Sequence, residues 1–461
     1  MEKLTALNRI LYLLDDGCFA EIGRDIKDGE GVITGYGTIE GRLVYIFSQD
    51  FSSNGGAICS AVSKKICNIM DMAVKMGAPL IGIYDSAGGT VEEGLDIFDA
   101  YGSIISANAR LSGVVPQIAV VAGPCTGTLA LSASMCDFTI MVENSGRLYI
   151  NSSEAMTDEE RRFIDDTMYG SSKICGENGT VQIISKDDKD ALKSARKLLN
   201  YIPSNNLELP PGMPFKEIDE GKAINEGMST QMIITSIVDG ESLLELYKDF
   251  GSNVQTVLGQ IGGMTIGIIA NSFDGSNHPN LNIYGIRKMM RMIKLCDCFN
   301  IPMLFICDCE GFESKLEEEN SGLAMECAKF TALLSYASVP KVSLAVGKVQ
   351  GITGIMLCNK NAFDMVYSWP TAQISLIEPE KLIDILYTDE ILAAEKPECK
   401  GRQIIDKCKE DLTNPLTAAR SGHIDGILLP NDTRKRLFNV FDMLSSKREK
   451  NYPRKHLSLS V

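Results

Sequence analysis

The sequence predicts an α/β fold built from two tandem copies of one domain, related by internal duplication. Three observations carry this. Separated blocks recur at a near-constant offset: GAPLIGIYDSAGG (77–89) answers to NIPMLFICDCEGF (300–312), with Pro79 and Pro302 at 223 residues' distance. SGVVPQIAVVAGPCTGT (112–128) answers to YASVPKVSLAVGKVQGIT (336–353), with Pro116 and Pro340 at 224, and IEGRLVYIFSQD (39–50) answers to IGGMTIGIIANS (261–272). A constant offset over three blocks argues duplication of a whole domain. Within each copy, apolar runs alternate with helical patterns, which implies parallel βαβ units. The length of 461 residues also suits two domains of about 200 each.

Each copy runs apolar strand, long helix, strand ending in Asp, helix, strand, glycine turn, helix. In the first copy Ile58, Val62, Ile66, Ile69, Met70, Ala73 and Val74 keep helical spacing before a stop at Gly77. The following PLIGIYDS is a continuous apolar run, as in a strand covered on both faces. The Pro- and Asn-rich YIPSNNLELPPGMPF (201–215) marks the join, giving domains 1–205 and 206–461. Residues 1–20 are briefly apolar but reach Asp15 and Asp16 without a small-residue cleavage site, so they read as an amphipathic helix and not a signal peptide.

With 44% apolar residues and no run of 18, a soluble chain is expected, placed in the cytoplasm. A net charge of −15 argues against nucleic acid and anionic membrane as partners. The 14 cysteines sit in apolar segments or C-x-C pairs, without a CxxC, and there are three histidines. Reduced, buried cysteines are therefore expected and no metal site.

The chemistry lies in the loops. Both copies place glycine-rich turns after strands: SAGGT (86–90) and GPCTGT (123–128) in the first, CEGFE (309–313) and GKVQGITG (347–354) in the second. A helix that opens there presents free N–H groups able to hold a phosphate or a developing oxyanion. No GxxxxGK[ST] stands in place for a phosphate loop. No GxSxG elbow occurs, and His278, His423 and His456 are remote from any serine-bearing turn, which disfavours a serine hydrolase. Asp85 and Asp308 end equivalent strands and read as turn residues rather than acid–base groups. The acidic run at 317–320 reads as a solvated loop.

With these residues in view, nearly the whole chain resembles the carboxyltransferase subunit of biotin-dependent acyl-CoA carboxylases and decarboxylases, the propionyl-CoA carboxylase beta and methylmalonyl-CoA decarboxylase alpha family. GVITGYGTIEGRLVYIFSQDFSSNGG (31–56) looks like the family's GYGT-x-GRxVYxFSQDF signature. YDSAGG resembles its DSGG turn, SGVVPQIAVVAGPC its SGVIPQIxxxxGPC block, and CDCFNIPMLFICDCEGF its CDxFNIPxxxxxDxxGF segment. YIPSNNLELPP, VPKVSLAVGK, SWPTAQI, NDTRKRL and MLSSKREKNYPRKH complete it. The resemblance implies two crotonase-like domains.

It also implies the chemistry. Carboxybiotin releases its carboxyl group, the ureido anion takes the α-proton of an acyl-CoA, and the enolate captures the carboxyl carbon; decarboxylases run this backward. Backbone N–H pairs hold the enolate and ureido oxygens, each well-placed donor lowering a barrier by about 3–4 kcal/mol. By position the first pair falls on Gly127 and Thr128, the second on Ile352 and Thr353. Ser86, Gly88, Gly89, Gly123, Gly351 and Ile355 line the substrate region.

Several residues depart from the family pattern. Thr90 replaces the arginine after DSGGA, Thr128 and Ile352 replace glycines, and ESKLEEENSGLAMECAK replaces a glycine-rich loop with arginine and histidine. LIEPEK replaces MGAEGA. A β-branched residue excludes positive φ, so a remodelled second site is expected at Ile352.

The implied partners are a biotin carrier protein and a biotin carboxylase or membrane decarboxylase subunit. The chain is expected as a homo-oligomer, dimer to hexamer, or a hetero-oligomer with a related subunit. Two other readings stand beside the active carboxyltransferase: a non-catalytic or half-active paralogue with a structural role, and another acyl-CoA reaction using the first site alone.

Overall fold

In the computed structural model the described residues are 3–163, 168–212, 224, 227–240, 242–274, 280–377, 381, 385–394, 396–449, 452 and 453. His278, His456 and parts of the 201–215 join, of LIEPEK and of the PRKH block lie outside them. The chain divides into one unit of Met1–Pro211 with Tyr247–Phe250 and Cys298–Asn300, and a second of Gly212–Leu246, Gly251–Asp297 and Ile301–Val461.

The first unit begins with α1 (Ala6–Leu13), the amphipathic segment expected near the N-terminus; Thr5 caps it by accepting the Asn8 N–H. A short β1 (Ala20–Glu21) precedes β2 (Val32–Ile39) and β3 (Arg42–Gln49). Then come α2 (Ser60–Met76), β4 (Leu80–Tyr84), α3 (Asp96–Leu111) and β5 (Gln117–Val121). Gly77 ends α2 at φ +61, the left-handed turn that a glycine adopts without a Cβ clash. β6 (Pro124–Thr126), α4 (Thr128–Ser134), β7 (Phe138–Val142) and β8 (Arg147–Tyr149) follow. The unit is completed by α5 (Asp158–Arg161), α6 (Ser172–Glu177), β9 (Ile183–Ser185) and α7 (Asp188–Leu199).

The main sheet has the order β1-β2-β3-β4-β5-β7-β9. From β3 onward every pair is parallel, because each crossover carries a helix or a longer connection. The β1–β2 and β2–β3 pairs are antiparallel, an edge that the reading of parallel units leaves out. Ala119 and Val121 pack with Ile66, Ile69 and Met70 of α2 in the core. Their alternates Ile118 and Val120 are buried as well, so the sheet is covered on both faces.

The second unit repeats this plan. It contains α8 (Thr230–Ile237), β10 (Leu243–Leu246), β11 (Val254–Ile261), β12 (Met264–Asn271), α9 (Ile283–Cys298) and β13 (Met303–Cys309). After these come α10 (Leu316–Asn320), α11 (Leu323–Tyr336), β14 (Lys341–Gln350), α12 (Gly351–Leu357), β15 (Met365–Ser368), β16 (Gln373–Ser375) and β17 (Gly426–Ile427). Its sheet order, β10-β11-β12-β13-β14-β15-β17, matches the first position for position. Ile233, Ile234 and Ile237 of α8 pack with Leu304, Leu344 and Trp369, and the Trp369 indole N–H donates to Thr433 Oγ1 at 3.0 Å.

The duplication extends to polar corners. Asp15, just after α1, accepts the N–H groups of Glu40 and Gly41, both at 3.0 Å, in the β2–β3 turn and pairs with Arg196 at 3.0 Å. Asp239, just after α8, accepts those of Gly262 and Gly263 at 2.9 and 2.7 Å and pairs with Arg434 at 2.7 Å. Each carboxylate thus ties a hairpin turn to a helix end by charge-assisted bonds.

Candidate active site

In the first unit the GPCTGT stretch is part strand and part turn. Residues 124–126 form β6, which pairs in parallel with β8. Gly127 then turns at φ +58, ψ −127 and caps α4. Only glycine takes this backbone without strain, because a Cβ there meets the following peptide group. The Gly127 N–H continues the strand ladder, donating to the Tyr149 carbonyl at 2.9 Å. The N–H groups of Thr128 and Leu129, in the first turn of α4, have no carbonyl of the helix to donate to.

The second unit builds the same element. The last residues of β14, 348–350, pair in parallel with β16 as β6 pairs with β8. Gly351 turns at φ +58, and Ile352 and Thr353 occupy the first turn of α12. Gly127 and Gly351 are 224 positions apart, which puts Ile352 and Thr353 in register with Thr128 and Leu129. The positive φ falls on Gly351 and not on Ile352, so the β-branched side chain meets no backbone conflict. Ile352 is 62% exposed, with Ile355 and Leu376 exposed near the same turn.

The residues beneath each turn are engaged elsewhere. Asp85 follows β4 and is 2% exposed; its Oδ2 accepts from Arg9 Nη1 and its Oδ1 from Lys3 Nζ, both at 2.8 Å. Gly123 lies against that carboxylate so closely that a Cβ on it would sit 1.9 Å from Asp85 Oδ1. In the second unit Asp308 accepts the Lys348 N–H at 2.9 Å, and a Cβ on Gly347 would lie 2.3 Å from its carboxylate. Burial pushes the thiols of Cys125 and Cys309 up, which keeps them protonated and poor nucleophiles. Both aspartates serve their turns, and the donors on offer at each turn are backbone N–H groups.

The SAGGT turn is stitched to the segment before α2. The Ser86 N–H donates to the Pro124 carbonyl at 2.8 Å, and Gly88 N–H donates to Ser86 Oγ at 3.1 Å. Ile58 N–H donates to the Gly88 carbonyl at 2.8 Å and the Ile58 carbonyl accepts from Thr90 N–H at 2.9 Å. Gly88 takes φ +127, and a Cβ on Gly89 would approach the Tyr101 hydroxyl to 3.0 Å. Ser86, bonded to Pro124, thus joins the SAGGT turn with Gly88 and Gly89 to the strip that starts at Gly123 and reaches Thr128 after β6, while Gly351, Ile352, Thr353 and Ile355 belong to the second unit. Beside this turn a cavity of about 310 Å³ is lined by Asp28, Glu30, Asn54, Cys59, Thr90 and Glu93 among others. Sequence reasoning passed over Arg9 and Tyr149. Arg9 carried a signal: it occupies the apolar face of α1 with Ala6, Ile10 and Leu13.

Among the described residues no cluster of His, Cys, Asp and Glu is arranged to hold a metal ion, and no helix is long and apolar enough to cross a membrane.

The carboxyl transferase domain model matches residues 1–459. The methylmalonyl-CoA decarboxylase subunit alpha of Propionigenium modestum is 36% identical, over 98% of this chain and 92% of that protein. The propionyl-CoA carboxylase carboxyltransferase subunit of Haloferax mediterranei is 34% identical, over 98% and 93%. The solved structure of transcarboxylase 12S, a hexamer with methylmalonyl-coenzyme A and methylmalonic acid bound, superposes with a TM-score of 0.93 at 30% identity, covering 100% of this chain and 92% of that one. The duplicated sheets are those of a crotonase-like carboxyltransferase fold, and the chain belongs to the carboxyl transferase domain family, as a carboxyltransferase of the biotin-dependent acyl-CoA carboxylase and decarboxylase type.

Proposed function

We propose that the chain moves a carboxyl group between biotin, carried on a separate protein, and the α-carbon of a small acyl-CoA, with one oxyanion held at each glycine turn. The observation that carries this is the matched pair of turns, each a glycine at φ +58 leading into the first turn of a helix. The thioester enolate oxygen is assigned to the N–H groups at Thr128 and Leu129, one residue beyond the pair that begins at Gly127, because the Gly127 N–H is already spent on Tyr149. The ureido oxygen is assigned to Ile352 and Thr353.

Biotin supplies the carboxyl acceptor or donor and the ureido nitrogen that exchanges a proton with the α-carbon. The second turn suits its neutral, largely apolar ring: N–H donors stand beside the exposed side chains of Ile352, Ile355 and Leu376. Residues of this chain then have three tasks. Ser86, Gly88 and Gly89 shape the acyl-CoA side of the first turn, the helix N–H groups hold charge as it develops, Gly123 lets the Asp85 carboxylate come close, and Gly351 supplies the positive φ of the second turn. Preserved turns in both copies favour a working subunit over a non-catalytic paralogue. A biotin carrier protein, a biotin carboxylase or membrane decarboxylase subunit, and a homo-oligomeric state complete the proposal.

The test uses the purified full chain with free biotin and methylmalonyl-CoA or malonyl-CoA, followed for decarboxylation, and repeats it with a biotinylated carrier domain. Biotin-dependent turnover is the expected result. Turnover that needs no biotin, or none under either condition, overturns the reading.

A further inference from the structure

We propose that Arg9 and Asp85 form a positioning pair that fixes the first-copy turn for catalysis, an inference that rests on the function proposed above. Arg9 is 1% exposed and Asp85 is 2% exposed. The guanidinium bridges two carboxylates, with Nη1 to Asp85 Oδ2 at 2.8 Å and Nε to Asp188 Oδ2 at 2.9 Å. Lys3 adds a contact of 2.8 Å to the other Asp85 oxygen. Two cations and two carboxylates make the cluster neutral, so it acts through geometry and not through its field.

That geometry leads to the turn in a few covalent steps. The Asp85 carboxylate lies on the Cα face of Gly123, and Gly123 begins the strip that runs through β6 to Gly127 and the N–H groups of Thr128 and Leu129. The adjoining Ser86 N–H is bonded to the Pro124 carbonyl in the same strip. A rotation of the Asp85 side chain is therefore felt at both glycine turns of the first unit.

The duplication supplies an internal control. Helices α1 and α8 have equal length, hydroxyl N-caps at Thr5 and Ser229, and the same aspartate two residues past their ends. Where α1 buries Arg9, α8 buries Ile233. The fold closes equally well around an apolar side chain at that position, so packing alone does not require an arginine. A buried ion pair is also weak evidence for stability, since desolvation of the charges opposes their attraction. Arg9 Nη2 is in addition buried without a hydrogen-bond partner, an arrangement that stability alone disfavours. What remains is the placement of Asp85 against Gly123.

The experiment compares the full chain, as purified, with Arg9→Met, Arg9→Lys and Asp85→Asn, and uses Ile233→Met as the second-copy control. Three readouts are taken: melting temperature, kcat and KM for the acyl-CoA in biotin-dependent decarboxylation, and the infrared carbonyl stretch of bound [1-13C]propionyl-CoA. Arg9→Met is expected to lower kcat at least tenfold with KM changed less than threefold, and to return the carbonyl stretch toward its value in water. Arg9→Lys restores part of both, Asp85→Asn follows Arg9→Met, and Ile233→Met changes neither. Should Arg9→Met fail to fold, Asp85→Asn, which keeps the shape of the side chain, decides on the same readouts. A fall in melting temperature with kcat and carbonyl stretch intact overturns the proposal. A wild-type protein that neither turns over nor shifts the carbonyl overturns the functional reading, and this proposal with it.

Discussion

Gly127 and Gly351 occupy the same place in the two units, each at φ +58 where a strand ladder gives way to a seven-residue helix. The backbone here passes from strand to helix through a single residue of positive φ. Neither position is crowded: the nearest atoms to an added Cβ are the Ile150 carbonyl oxygen at 3.9 Å and the Leu376 carbonyl oxygen at 3.6 Å. The demand for glycine is conformational, not steric.

Gly127→Ala and Gly351→Ala are therefore each expected to destabilise the protein by about 1–3 kcal/mol, the strain of an L-residue in this region. Activity should fall by more than stability explains, because relief of the strain re-aims the N–H groups. Urea unfolding at pH 7 paired with kcat checks this; wild-type kcat in a folded Gly127→Ala protein refutes it.

Gly123 and Gly347 answer to a different constraint. Each carries a carboxylate against its Cα, so Gly123→Ala and Gly347→Ala force Asp85 or Asp308 aside and cost about 1–3 kcal/mol as overpacking. Gly102, within α3, has open space around it and an ordinary helical backbone, so Gly102→Ala should stabilise by about 0.5–1 kcal/mol. Denaturant midpoints for the three variants separate close approach from simple helix propensity.

Ile352 contributes little to the core at 62% exposure. Ile352→Gly is expected to cost no more than about 1 kcal/mol of stability, the helix-propensity difference. If the side chain narrows the biotin side of the second turn, the same variant lowers KM for free biotin several-fold with kcat held within about twofold. Steady-state kinetics at varied biotin reports the outcome, and an unchanged KM rejects that role for Ile352.

Asp15 predicts a pH dependence. The Gly41 backbone N–H, with further bonds from Glu40, Thr38 and Arg196, holds its carboxyl well below the usual range. A carboxylate with a folded pKa below its unfolded value of about 3.9 stabilises the fold fully above that pH, and the contribution disappears as pH falls toward the folded value. Asp15→Asn should then be less stable than wild type at pH 7, with the gap closing between about pH 4 and pH 2. Unfolding curves at those values give the comparison, and a gap independent of pH argues against the linkage.

Much of this was legible in the chain itself. The 224-residue spacing of Pro116 and Pro340 is also the spacing of Gly127 and Gly351, and the block motifs led to the right family. Helix α2 was readable from its apolar period and its Gly77 stop, both local signals. The antiparallel direction of the β1–β2–β3 edge was not, because a strand's own period does not state how its neighbour runs, and the β6–β8 ladder was not, because a three-residue strand has too few residues to show a period.

The sequence by itself determined the duplication, the parallel α/β core and the carboxyltransferase family, since each is written in residues close together or repeated at fixed distance. Tertiary structure decided which N–H groups remain free: Tyr149 claims the Gly127 donor across 22 residues and so moves the proposed anion cradle to Thr128 and Leu129. It also decided what supports that cradle. Arg9, Asp85 and Asp188 are scattered through the chain and meet only when α1, the end of β4 and the start of α7 are packed together, and no local pattern encodes such a meeting.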